Sequence, residues 1–211
     1  KFTTFGQTLY YAIFHSISAF CNAGFSLFPD SLISFQFHTP TLIIMSALII
    51  FGGLGFPVLF NTFQNLFKKN PLPLKIQTRL ALNVTIGLIL IGTILIFISE
   101  YQNSFAGLTL TEQFKLSFFQ SVTTRTAGFS TIDLNMFQPS ALMAIMLLMI
   151  IGASPASTGG GIKTTTFGLI VISFWNILKA SFRFDFNKKT IAHESILRAF
   201  ATLFTALLLI F

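Results

Sequence analysis

The chain has 211 residues, 53% of them hydrophobic and only 9% charged, with 28 phenylalanines. A soluble domain carries about a quarter charged residues, so the polar surface is too small for a soluble fold with buried helices, and the composition reads as a membrane protein. The net charge of +7 is gathered in two short segments, which argues against nucleic acid as a partner.

In chain order, residues 8–19 read as a short helix followed by a loop over 20–30. A charge-free stretch over 41–67 is expected to cross the bilayer from outside to inside, with Pro71 and Pro73 punctuating the turn after it. Residues 80–99 carry no charge and match the length of a return span, since about 20 apolar residues cross a bilayer core. Thr109-Leu110-Thr111-Glu112 has the spacing of a capping box, which predicts a helix to about Thr123. Its length, about 20 Å, is enough to enter the bilayer and stop, after which residues 124–133 climb back out. Residues 142–178 form a further span interrupted midway, and 191–211 begin another. The domain reading is therefore 1–70 (pore helix, filter loop, second span), 71–182 (one complete span–pore loop–span repeat) and 183–211 (a cytosolic loop and the start of the next repeat). The fold class is an all-α membrane protein of repeated transmembrane helix–re-entrant pore helix–transmembrane helix units, potassium-channel-like and incomplete at both ends.

Lys68, Lys69, Lys75 and Arg79 fill one inter-span segment, and Lys179, Arg183, Lys188, Lys189 and Arg198 fill another. Asp30, Glu100, Glu112 and Asp133 lie in the opposite segments. The positive-inside bias puts the loops at 61–79 and 179–198 in the cytoplasm, leaving the polar turns facing outside. Such basic patches also suit lipid headgroups or a cytosolic partner.

One phrase occurs twice. Phe14-His15-Ser16-Ile17-Ser18 leads to Asn22-Ala23-Gly24-Phe25, and Phe119-Gln120-Ser121-Val122-Thr123 leads to Thr126-Ala127-Gly128-Phe129. Non-helical backbone at membrane depth is tolerated only where protein buries it or where it lines a water-filled cavity. One glycine loop alone reads as an ordinary turn, and one short helix as an interfacial one; two copies in matching positions point to an ion filter. Backbone carbonyls can replace the hydration shell of a cation such as potassium. Glycine reaches the angles that aim them, and the helix C-termini add partial negative charge. Arg125 sits inside the second phrase, where a pore-facing guanidinium would repel cations. It is expected to turn away and brace the filter by binding carbonyls or by pairing with Glu100 or Asp133.

The interruption runs from Gly152 through Ser154-Pro155 and Ser157-Thr158-Gly159-Gly160-Gly161 to Lys163-Thr164. Proline and glycine cost a helix about 3 and about 1 kcal/mol each, and ten small or polar residues at this depth cannot face lipid. A phosphate-binding loop needs glycine directly before its lysine, but Ile162 stands there. The segment 153–163 reads instead as a flexible gating loop, with Lys163 as its cationic edge. A carrier holding an anionic or organic substrate at broken helices, with Lys163 and the glycines as its site, is the competing reading. No histidine, cysteine or carboxylate grouping has metal-ligand spacing, no catalytic constellation appears, and the single Cys21 allows no internal disulfide.

Through Phe14–Phe25, Thr123–Phe129 and Gly152–Lys163 the chain resembles the Trk/Ktr/HKT superfamily of potassium transporters, most closely the membrane (pore) subunits of bacterial Ktr systems. The resemblance implies four repeats around one pore, in a multi-pass protein of the plasma membrane. Gly24 and Gly128 would be filter glycines of the second and third repeats, and 153–163 the intramembrane gating loop. It implies potassium as transported ion, sodium staying open, with no covalent cofactor and no enzymatic activity. The implied partners are membrane lipid, a second copy in a homodimer and a cytosolic nucleotide-binding regulatory ring subunit.

Overall fold

The computed structural model describes residues 4–68, 74–179, 185–186, 189–190 and 192–210. Pro71, Pro73 and the basic residues Lys69, Arg183 and Lys188 lie outside the described residues. Among the described residues the α-helices are, in order, α1 (Phe5–Phe20), α2 (Thr39–Leu54), α3 (Phe56–Leu66), α4 (Ile76–Glu100), α5 (Leu110–Thr123), α6 (Pro139–Ile150), α7 (Thr164–Leu178) and α8 (His193–Ile210). Two-residue strands β1 (Asp185–Phe186) and β2 (Lys189–Thr190) pair antiparallel between α7 and α8.

Among the described residues, α4 alone is by itself long and apolar enough to cross a bilayer. One of its faces buries Ala81, Thr85, Leu88, Ile89, Gly92 and Ile96, while Ile86, Leu90, Ile94 and Ile98 stand exposed at helical spacing. An apolar outer face of this extent is a surface for lipid or other protein rather than for water.

The span expected over 41–67 is two helices. α2 and α3 meet at 103°, because Gly55 holds a left-handed φ of 78° and Pro57 starts α3. Proline is accepted in a helix's first turn and not in its interior. The other interruption falls where the sequence places it, between Ile150 and Thr164.

α5 packs on α4 and α2. Gly92 lets it approach, since a Cβ there would stand 2.4 Å from Ser121 Oγ. The C-terminal half of α5 is buried nearly all round, including Ser117, Gln120, Ser121 and Thr123. Ser117 Oγ donates to Gln113 O, and Ser121 Oγ donates across to Ile89 O at 2.9 Å. Phe119, Leu116, Ile96, Ile89, Ile49 and Phe129 belong to one apolar cluster around it. The C-terminus of α4 is fixed by Glu100, fully buried, whose carboxylate accepts from Gln138 N–H at 2.7 Å and from Asn103 and Ser104. α1 by contrast packs on α2 and buries only His15, Ser18 and Ala19.

The capping box opens α5: Thr109 Oγ1 accepts from Glu112 N–H, and Glu112 Oε2 accepts from Thr109 N–H at 2.9 Å. The Thr109 hydroxyl, then its amide, hold the exposed Glu112 carboxyl below the usual carboxylate range. Because that value is lowered in the folded state, its stabilisation is present at neutral pH and lost as pH falls through it. Thr109→Ala should lower the stability of the purified full-length protein by about 1 kcal/mol, read as a fall in melting temperature at neutral pH that narrows on acidification.

Candidate ion filter and the loop beneath it

Each phrase begins where a helix runs out. Cys21 N–H closes on the end of α1 and Ala23 N–H reaches Ser18 O at 2.9 Å; Ala127 and Gly128 N–H both reach Thr123 O. Beyond these caps φ is positive at Asn22 (52°), Gly24 (73°), Thr126 (78°) and Gly128 (83°), and not at Ala23 or Ala127 between them. In a strand, successive carbonyls point to opposite sides; alternating the handedness of φ turns them toward one side, the arrangement a carbonyl cage requires. Left-handed backbone is uncommon outside glycine, and for the β-branched Thr126 it is an outlier of the kind that gathers at functional sites.

The match extends to the supporting hydroxyls. Ser18 Oγ donates to Phe25 O, and Thr123 Oγ1 donates to Phe129 O, both at 2.8 Å. The last turn of each short helix therefore fixes the carbonyl just past its filter glycine. The copies also meet. A Cβ on Gly24 would lie 2.4 Å from Ala127 O and 3.2 Å from Gly128 Cα, and one on Gly128 would lie 3.6 Å from Gly24 Cα. Beyond them in both loops, Leu32 N–H donates to Ser130 O and Ser130 N–H to Ser31 Oγ. The environments differ in one respect: Ala23 is exposed and Phe25 is 71% exposed, whereas Ala127 and Phe129 are buried.

His15 braces the first copy. Its Nε2 accepts from Leu27 N–H at 3.3 Å, so the ring proton sits on Nδ1 and is donated to Tyr11 O, and the ring stacks on Phe28.

Arg125 is buried and turned into the protein. Its guanidinium donates to Gly152 O at 3.2 Å, to Thr85 O at 3.4 Å and to Thr85 Oγ1 at 3.5 Å. The expected pairing with Glu100 or Asp133 does not form. Glu100 is engaged by Gln138, Asn103 and Ser104, and Asp133 accepts from Asn135. The alternative expectation, carbonyl binding, is the one realised.

The segment between α6 and α7 was expected to be flexible; it is a closed strap. Ile151 pairs with Ile162, Gly152 N–H donates to Ile162 O, and Ala153 N–H donates to Gly160 O. Close approach needs glycine at both edges, since a Cβ on Gly152 would overlap Gly160 O and one on Gly161 would reach Gly152 Cα at 2.8 Å. Ser157 Oγ donates to Ser154 O, Ser154 Oγ meets Thr164 Oγ1, and Lys163 Nζ donates back to Gly159 O at 2.8 Å. The strap rests on the break between α2 and α3. Ser154 N–H donates to Gly53 O and Thr158 N–H to Gly52 O, while a Cβ on Gly55 would meet Ala156 O and Pro155 O.

Sequence reasoning missed Gly52, Gly53 and Gly55, although glycines at three of four positions followed by Pro57 could have marked the break. Thr85 carried no signal of its own.

A family model described as "TrkH: Cation transport protein" matches residues 4–211. The chain belongs to the TrkH family of cation transport proteins. It is 40% identical to Ktr system potassium uptake protein B of Vibrio alginolyticus over 195 residues, covering 92% of this chain and 43% of that protein. It is 38% identical to the potassium/sodium uptake protein NtpJ of Enterococcus hirae, covering 94% of this chain and 44% of that one. The chain thus spans less than half the length of these relatives. The crystal structure of the potassium transporter TrkH from Vibrio parahaemolyticus superposes with a TM-score of 0.71 at 20% identity, over 93% of this chain and 42% of that one. That likeness shows the fold.

The glycine geometry separates two substitutions. Gly128→Ala should lower stability by roughly 1–2 kcal/mol through the left-handed backbone, whereas Gly24→Ala adds overlap with Ala127 O and should be the more damaging. Melting curves of the two full-length variants check the order. Arg125→Ala strands Gly152 O and should lower stability by about 2 kcal/mol, measured the same way.

Proposed function

We propose that this chain forms part of a pore through which potassium is taken up across the plasma membrane. Carbonyls of residues 22–25 and 126–129 coordinate the ion, and the strap at 153–163 gates its path. The observation that carries this reading is the paired alternation of φ at Asn22–Gly24 and Thr126–Gly128, in two loops that meet at their glycines. Membership in a cation transport family, and relatives named as potassium uptake proteins, support the choice of ion. Two filter phrases cannot ring an ion, so a complete cage draws on further repeats of the same kind. In this reading the filter loops face outside and the basic segments 61–79 and 179–198 face the cytoplasm. The whole protein works as a homodimer with a cytosolic nucleotide-binding ring subunit, and the Ktr system names of its relatives favour a multicomponent assembly.

A second reading, a sodium-permeable or sodium-coupled pore of the same fold, draws on the relative named for potassium and sodium. The carrier for an anionic substrate is weakened by Lys163, whose ammonium is engaged by Gly159 O within the strap.

Uptake of potassium by the full-length protein in a transport-deficient host is the test. Gly128→Ser should reduce discrimination between potassium and sodium, and deletion of 157–161 should raise flux and abolish its regulation. Unchanged selectivity in the first together with unchanged flux in the second would overturn the reading.

A further inference from the structure

The strap and the two filter loops are in direct contact at one recurring position. Asn22 and Thr126 each stand two residues before a filter glycine, and each holds a left-handed φ. Thr158 and Gly159, adjacent in the strap, meet them one apiece. Asn22 Nδ2 donates to Thr158 Oγ1 at 2.8 Å, and Thr158 Oγ1 donates in turn to Phe20 O at 3.0 Å, the last residue of α1. On the other side, a Cβ on Gly159 would lie 2.4 Å from Thr126 Oγ1. The strap also donates Thr158 N–H to Gly52 O, and a Cβ on Gly52 would overlap Phe20 O. Phe20, Gly52 and Thr158 therefore converge on one point below the first filter loop.

These contacts differ in kind. Gly159 meets Thr126 by shape alone, and Thr126 Oγ1 is buried without a hydrogen-bond partner. Thr158 meets Asn22 and Phe20 through its hydroxyl, in a chain of two bonds that crosses from the strap to the neighbouring unit's filter. Thr158 is itself exposed, so burial does not hold it in place; the bonds do.

We propose that Asn22 and Thr158 form a latch. Its bonds hold the strap closed against the first filter loop, and both must break before the strap can move. Asn22 and Thr158 are then positioning residues for gating, the Asn22 side chain acting through the strap while its carbonyl keeps its place in the filter loop. The inference rests on the reading of 153–163 as the gate. It adds that the closed position is set by the filter of the adjacent repeat. Removing one neutral hydrogen bond of this kind shifts a two-state balance by about five-fold.

Gly160 gives a direct reporter: it is exposed, and a Cβ there meets nothing within 4 Å. The experiment uses the full-length protein with native cysteines, Cys21 among them, removed and Gly160→Cys introduced. Modification of that thiol by a charged methanethiosulfonate is followed in proteoliposomes beside potassium flux. Thr158→Val, which keeps shape and loses both hydroxyl bonds, should raise the modification rate and the flux by about 25-fold, about five-fold for each bond. Thr158→Ser should match the parent, and the ratio of potassium to sodium flux should stay unchanged. Asn22→Gly, which accommodates the left-handed backbone and loses one of the two bonds, should raise modification about five-fold, and the double variant should add nothing to Thr158→Val. The latch is overturned if Thr158→Val leaves the modification rate at the parent value, if Thr158→Ser behaves like Thr158→Val, or if the two single effects add in full. Absence of potassium flux in the parent would count against the transport reading alone, since thiol modification still reports the strap.

Discussion

A broken helix at bilayer depth leaves amide and carbonyl groups that water cannot reach and that lipid cannot satisfy. The helix interruptions at Gly55 and between Ile150 and Thr164 answer one another. The carbonyls of Gly52 and Gly53 accept the amides of Thr158 and Ser154. Each interruption supplies hydrogen-bond partners that the other lacks, and together they form a joint between distant segments of the chain. Arg125 extends the same logic, its buried guanidinium taking up Gly152 O at the edge of the strap and Thr85 O on α4.

The two loops proposed as filter rest on that joint. Each short helix ends with a hydroxyl, Ser18 or Thr123, that fixes the carbonyl beyond its glycine, and the strap touches both loops two residues before that glycine. Support for the carbonyl geometry thus comes from two sources, the helix ends and the strap at Thr158 and Gly159. A segment held at so many points is fixed as a unit, so the gating proposed for it requires a switch between two packed arrangements rather than a gradual loosening.

Much of this was legible because glycine and proline punctuate the sequence so plainly. The repeated phrase, the capping box at Thr109 and the interruption before Thr164 all follow from local residue chemistry. What escaped depends on contacts between distant segments. Residues 41–67 are apolar enough to pass as one span, and the turn at Gly55 makes sense only once Pro155 and Ala156 are seen lying against it. The pairing expected of Arg125 went astray for a related reason. Glu100 is close in sequence to its donors Asn103 and Ser104, and the start of α6 supplies a third, so its carboxylate is already engaged. The strap's order was likewise hidden, since a run of small residues looks loose until its hydrogen-bond partners on α2 are known.

Gly24 lies against Ala127 O and Gly128 Cα with no room for a methyl group. Tandem copies of a unit ordinarily drift apart after duplication, each free to try its own substitutions. At this spot the two units share a single boundary, so a side chain gained by one must find its space in the other. The surroundings of Phe25 and Phe129 differ, but at Gly24 any added side chain needs room that the other copy's backbone already fills.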